Sequence, residues 1–124
     1  MQRDLEAYCA DAIDAIRDIH SFINGVTLDT YGTVRLIQAA VERSLEIVGE
    51  AMRQATLNYP EFMQAVPEAR LAIALRNRLA HGYLTTDHKI IWSIVQDDIP
   101  ALEERVRAYL ATRTPRTATD PFKE

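Results

Sequence analysis

Apolar residues recur every three or four positions along most of this chain, which is the period of a helix with one buried face. Leu5, Cys9, Ala12, Ile13, Ile16, Ile19 and Ile23 make the first stripe. Acids crowd its first half, where they suit the positive end of the helix dipole, and Gly25 marks its stop. "TLDTYG" reads as a connection, with Thr27 or Asp29 as N-cap. The longest periodic stretch follows, with Val34, Ile37, Val41, Leu45, Val48, Met52 and Ala55 in line. Leu36, Ala40, Ile47 and Ala51 widen that stripe, so this helix is expected to pack on more than one neighbour. Gly49 in its middle costs about 1 kcal/mol against alanine, and is useful where another backbone must come close.

"NYPEFMQAVPEA" breaks the rhythm, with Pro60 and Pro67 each suited to a helical first turn. A third main helix is predicted over about 67–81, with Leu71, Ala72, Leu75 and Leu79 inward and Gly82 as its C′ residue. "TTDHKIIWSIVQ" reads as a short helix capped by Thr86 or Asp87, carrying apolar Ile90, Ile91, Ile94 and Val95 and a packed Trp92. "DDIPALEERVRAYLA" is read as a separate last helix, with Pro100 in its first turn and Leu102, Val106 and Leu110 inward. Strand alternation and internal repeats are absent. The predicted fold is all-α, a four- to five-helix antiparallel bundle over residues 1–112, and 113–124 is expected to be a disordered tail.

Composition narrows the setting. At 124 residues the chain is one domain with room for a real core. Its single cysteine, Cys9, excludes an internal disulfide and a Cys-rich zinc site, and its place in a stripe predicts a buried, inert thiol. No apolar run spans a bilayer, and "MQRDLEAYCADA" has no signal-peptide core, so a soluble, cytoplasmic chain without membrane partners is expected. The net charge of -4 argues against a general nucleic-acid coat. Of the fourteen basic residues, however, only Lys89 and Lys123 are lysines. Arginine's planar fork suits ion pairs and phosphate contacts.

Chemistry concentrates in "RNRLAHGY", residues 76–83. One reading is capping: cations favour the negative end of a helix, His81 bonds the last carbonyls, and Tyr83 packs as a ring. The other is catalysis on an anion. On an ideal helix His81 shares a face with Asn77 and Arg78, whereas Arg76 lies about 140° round the cylinder. Arg76 and His81 would then converge only at a frayed rim or across a subunit interface. Histidine can take and give a proton near neutral pH, and arginine can stabilise charge growing on a phosphate. The pair suits phosphodiester cleavage without a metal, with the RNA 2′-hydroxyl as nucleophile. His20, His81 and His88 lack paired metal-ligand spacing; His20 reads as a helix-end partner, and no metal or cofactor is expected. Glu46 and Glu50, on the preceding helix, are candidates to pair with Arg76 or Arg78, with plain surface salt bridges as the simpler reading.

The same octapeptide resembles the R-x4-H-x-Y motif of HEPN-domain proteins (higher eukaryotes and prokaryotes nucleotide-binding), specifically the HepT-like toxins. Arg76, His81 and Tyr83 fall on its three defined positions. "RSLEIVGEAMRQ" resembles the family's long second helix, and "IIWSIVQDDIPALEERV" its closing segment, so the likeness covers the chain to about residue 110. The resemblance implies a metal-independent endoribonuclease acting on RNA (tRNA or mRNA), usually a homodimer with the two motifs facing across one cleft. Arg76 and His81 would be the catalytic pair, with Asn77 and Arg78 in support. It also implies a minimal nucleotidyltransferase as antitoxin, transferring AMP to Tyr83. A non-catalytic nucleotide- or substrate-binding partner of such a transferase is the alternative, mildly favoured by the acidic charge, and a purely structural helical dimer is a third reading.

Overall fold

The computed structural model describes residues 3–81 and 87–113. Among them every regular element is helical: α1 (Leu5–Ile23), α2 (Leu28–Thr33), α3 (Arg35–Asn58), α4 (Phe62–Ala65), α5 (Ala69–Ala80), α6 (His88–Ser93), a π-helical turn (Ile94–Asp98) and α7 (Ile99–Thr112). The all-α bundle expected from the stripes is the fold found. None of the described helices is long and apolar enough to cross a membrane.

The first stripe is buried almost end to end, with Cys9, Ala12, Ile16 and Ile19 fully inside. The helix ends at Ile23, and Gly25 turns the chain with φ +76, a backbone shape that suits glycine. "TLDTYG" is more than a connection. Thr27 Oγ1 accepts from the Thr30 N–H at 3.1 Å and starts the short helix α2, which buries Tyr31 against Trp92, ring centroids 5.4 Å apart.

Helix α3 is the centre of the bundle, packed on α1 along one side and α5 along another. Its expected stripe of Val41, Leu45, Val48, Met52 and Ala55 is buried. The four larger side chains each contribute about 1.5–3 kcal/mol on leaving water, and Ala55 less. Leu36, expected to widen that stripe, is instead exposed at 79 %. Helices α1 and α3 run antiparallel: Asn58 Nδ2 donates to the Tyr8 hydroxyl and the Tyr59 hydroxyl to the Arg3 carbonyl, joining the end of one to the start of the other. Helix α7 returns antiparallel to α1, with His20 against Glu103 at one end and Arg113 against Glu6 at the other.

The last two predicted helices are one rod. Ile94 and Ile99 both keep helical backbone, and the Ile99 N–H reaches the carbonyl of Ile94, five residues back. Pro100 has no N–H, and its ring crowds the carbonyl four residues earlier. A single widened turn just before it absorbs the misfit without ending the helix. Asp87 is the cap of α6, its carboxylate accepting from the Lys89 N–H at 2.8 Å. The alternative cap Thr86, the C′ residue Gly82 and the tail from 114 onward lie outside the described residues. Arg113, the first residue assigned to that tail, is held at 3.2 Å from Glu6.

Candidate functional site

Helix α5 presents the motif on two sides. Arg76 leaves it toward α3, and this is possible because residue 49 is glycine. A Cβ on Gly49 would lie 2.5 Å from the Ala72 carbonyl oxygen and collide with the Arg76 Cβ. The close approach expected of Gly49 therefore falls at Arg76 itself. The Arg76 Nε lies 3.2 Å from Glu50 Oε1, and its Nη1 donates to Asn77 Oδ1 at 3.0 Å. Glu50 Oε1 is buried and makes no hydrogen bond. The Nε–H misses it in direction, so this contact is one of charge. The other carboxylate oxygen, Oε2, accepts from Gln54 at 2.9 Å and Arg53 at 3.2 Å. Of the two pairings considered for Glu46 and Glu50, Glu50 takes Arg76, and Glu46 takes Arg43 at 3.1 Å.

Arg76 lines an open groove of about 350 Å³ between α1, α3 and α5. Its charged walls come as three pairs: Arg3 with Asp11 at 2.9 Å, Arg43 with Glu46, and Arg76 with Glu50. Spacing made Arg43–Glu46 and Glu50–Arg53 foreseeable as neighbours on one helix face. Arg3, Asp11 and Tyr8 went unrecognised as parts of this groove, because only packing α1 on α3 brings them there.

His81 is the C-cap of α5. Its Nδ1 lies 2.6 Å from the Asn77 carbonyl oxygen. A carbonyl only accepts, so Nδ1 carries the proton, and in the neutral ring the basic lone pair belongs to Nε2. The capping contact thus also sets the tautomer of the neutral ring. Asn77 links the two halves of the motif, its side chain holding Arg76 and its main chain holding His81. That double role was not readable from spacing.

Arg78 belongs elsewhere. It lines an apolar pocket of about 180 Å³ with Leu71, Ala74, Leu75, Asp87, Ile90 and Ile94, on the α6 side. Leu71, expected inside, is 41 % exposed at this pocket, and Ile90 is 54 % exposed. Tyr83 lies outside the described residues. Among the described residues no three His, Cys, Asp or Glu side chains gather as metal ligands. Of the remaining candidates, His20 Nε2 sits 3.1 Å from Glu103 Oε1, pairing across to α7. Cys9 is fully buried, and burial, helped by the Glu6 charge, pushes its thiol up to about 11. That leaves it protonated and inert, as its stripe position predicted.

A family model described as "Ribonuclease HepT-like" matches residues 12–109, which include Arg76, Asn77, Arg78 and His81. The chain belongs to the HepT-like ribonuclease family. Among its relatives, the protein named "Putative RNase MJ1380" of Methanocaldococcus jannaschii is 31 % identical over 105 residues, covering 85 % of this chain and 95 % of that one. "Probable ribonuclease HepT" of Thermococcus cleftensis is 30 % identical over 103 residues, covering 83 % and 93 %. "Putative RNase MJ0127" of Methanocaldococcus jannaschii is 33 % identical over 99 residues, covering 80 % and 81 %. No solved structure matches the chain. The expectation of a HepT-like all-helical chain therefore stands on the family match as well as on the motif.

Proposed function

We propose that this chain is a metal-independent endoribonuclease, the toxin of a toxin–antitoxin pair. The observation that carries the reading is the Asn77 bridge, which prepares an arginine for charge and a histidine for a proton within about a turn and a half of helix. In the proposed reaction the Nε2 lone pair of His81 takes the proton from the RNA 2′-hydroxyl. That oxygen attacks the adjacent phosphorus, and Arg76 stabilises the charge growing on the phosphate oxygens. The P–O5′ bond breaks, the 5′-oxygen takes a proton from solvent water, His81 returns its own to solvent, and the products carry a 2′,3′-cyclic phosphate and a 5′-hydroxyl. Arg78, on the opposite side of α5, is assigned to an RNA contact away from the scissile phosphate.

The full site is proposed to form in a homodimer. Arg76 and His81 project from different sides of the end of α5, so a phosphate near the His81 of one copy can be met by Arg76 of the other. A minimal nucleotidyltransferase is the proposed antitoxin, transferring AMP to Tyr83. The adduct would place a bulky anion two residues from His81, filling the cleft and repelling the RNA backbone.

The test is incubation of unmodified protein with RNA in EDTA, with the product ends read chemically. Cleavage to 2′,3′-cyclic ends is expected, and co-expression with the transferase should add the mass of one or more AMP units to Tyr83 and abolish cutting. Cleavage that requires a divalent ion refutes the mechanism. Tight binding to the transferase without any cleavage would instead support the non-catalytic reading, which the paired charges of the groove favour.

A further inference from the structure

Glu50 is the ion-pair partner of Arg76 among the described residues. We infer that Glu50 is the positioning residue of this site, fixing the Arg76 guanidinium so that its remaining N–H groups are offered to a single phosphate in the groove. The inference rests on the ribonuclease reading above.

Three observations separate Glu50–Arg76 from an ordinary surface ion pair, whose geometry is loose and whose net contribution is small. The carboxylate is itself tethered, since Oε2 takes hydrogen bonds from both Arg53 and Gln54. Its Oε1 is buried, so water does not compete for it. The Arg76 stem is pinned by the contact of α5 with α3 at Gly49, one residue away from Glu50. With Nε held 3.2 Å from Glu50 Oε1 by charge alone and Nη1 hydrogen-bonded to Asn77, Nη2 is the guanidinium nitrogen with no protein partner among the described residues. An arginine already held on two sides loses little side-chain freedom when a phosphate arrives.

Glu50 also has an electrostatic consequence. It balances Arg76, as Asp11 balances Arg3 and Glu46 balances Arg43. The groove therefore attracts a polyanion weakly while keeping one guanidinium in register. A residue that positions an arginine at the cost of general affinity should show opposite effects on binding and on turnover when its charge is removed. A residue that merely supports the fold should not.

The experiment is Glu50→Gln, which keeps shape and removes charge. For a fully 2′-O-methylated RNA, which cannot be cleaved, Kd should stay equal or fall. For the cleavable RNA, kcat should drop at least about tenfold, a modest misplacement of a catalytic group being enough. In an Arg76→Lys background, which keeps a cation but not the fork that Glu50 positions, Glu50→Gln should slow kcat less than it does in the parent, because its only route to the reaction is through the Arg76 guanidinium. Independently of activity, the Nε–Hε order parameter of Arg76 measured by 15N relaxation should be high in the parent and fall in Glu50→Gln and Glu50→Ala. An unchanged kcat, additive losses in the double variant, or an unchanged order parameter overturns the inference. A parent protein that cuts no RNA at all overturns the ribonuclease reading and leaves the Arg76 clamp to be decided by the order parameter.

Discussion

Replacing Gly49 by alanine sets two effects of opposite sign against each other. In an isolated helix the change should stabilise, because glycine in a helix interior costs about 1 kcal/mol relative to alanine. In this bundle the new methyl carbon would stand 2.5 Å from the Ala72 carbonyl oxygen. Ordinary carbon contacts lie at about 3.5 Å, so the overlap is close to 1 Å. The obstacles are a backbone oxygen and the root of Arg76 rather than a flexible tip. Helix α5 must therefore move away from α3, opening packing on both sides. Overpacking costs about 1–3 kcal/mol, and an obstacle of backbone places this case at the upper end, about 2–3 kcal/mol. The net expectation is destabilisation by about 1–2 kcal/mol, a fall in Tm of roughly 3–10 °C for a domain of this size. Urea denaturation with the Tm as a cross-check measures it. A Tm that rises or stays fixed would show that α3 and α5 do not touch at Gly49, and the placement of Arg76 would fall with it.

Asn77→Ala removes the acceptor for Arg76 Nη1 but leaves the carbonyl that holds His81. Its kcat should fall by about one to two orders of magnitude while the pH profile set by His81 keeps its shape, and a shifted profile would show that the side chain holds His81 too. Burial alone would push Glu103 up, but hydrogen bonds and charges from Arg107 and His20 outweigh it, so its carboxyl sits below the ordinary range. A carboxylate lowered in the folded state adds stability that is complete above its unfolded pKa and is lost as pH falls through the folded one. Denaturation curves across acid pH should therefore show Glu103→Gln with a shallower loss of stability than the parent, and parallel curves would refute the pairing. Cys9 should resist a thiol reagent at pH 8 until the chain unfolds, and labelling at the rate of a free thiol would contradict its burial. If the site is shared between two copies, mixing Arg76→Ala with His81→Ala protein should restore cleavage in the mixed dimer, which carries one intact pair. Two inactive proteins that stay inactive when exchanged would place the whole site within one chain.

The core was legible because its signal is local. The stripes through Ile16 and Val48 name their own buried faces, and Cys9 in such a stripe could only be inside. Leu71, expected inward, and Leu36, expected to widen the α3 stripe, are exposed because a stripe tells which residues could be covered, not whether a neighbour extends far enough to cover them. The continuity of α6 and α7 was hidden by Pro100, which ordinarily marks a helix start and here follows a widened turn. At the site, spacing singled out Arg76 and His81 and warned that they do not stack on one helix. Choosing Glu50 over Glu46 as the partner of Arg76 required the register of α3 against α5, which only Gly49 hinted at. Asn77 escaped a full reading for another reason, since half its role is played by a backbone carbonyl that any residue would supply.

The most direct test of the account compares the parent and His81→Ala on one RNA and on DNA of the same sequence, in EDTA, by gel analysis of end-labelled strands. The parent should cut the RNA and leave the DNA intact, since the DNA lacks the nucleophilic 2′-hydroxyl, and His81→Ala should cut neither. Cleavage of the DNA, or a His81→Ala protein that cuts RNA at the parent rate, would contradict it.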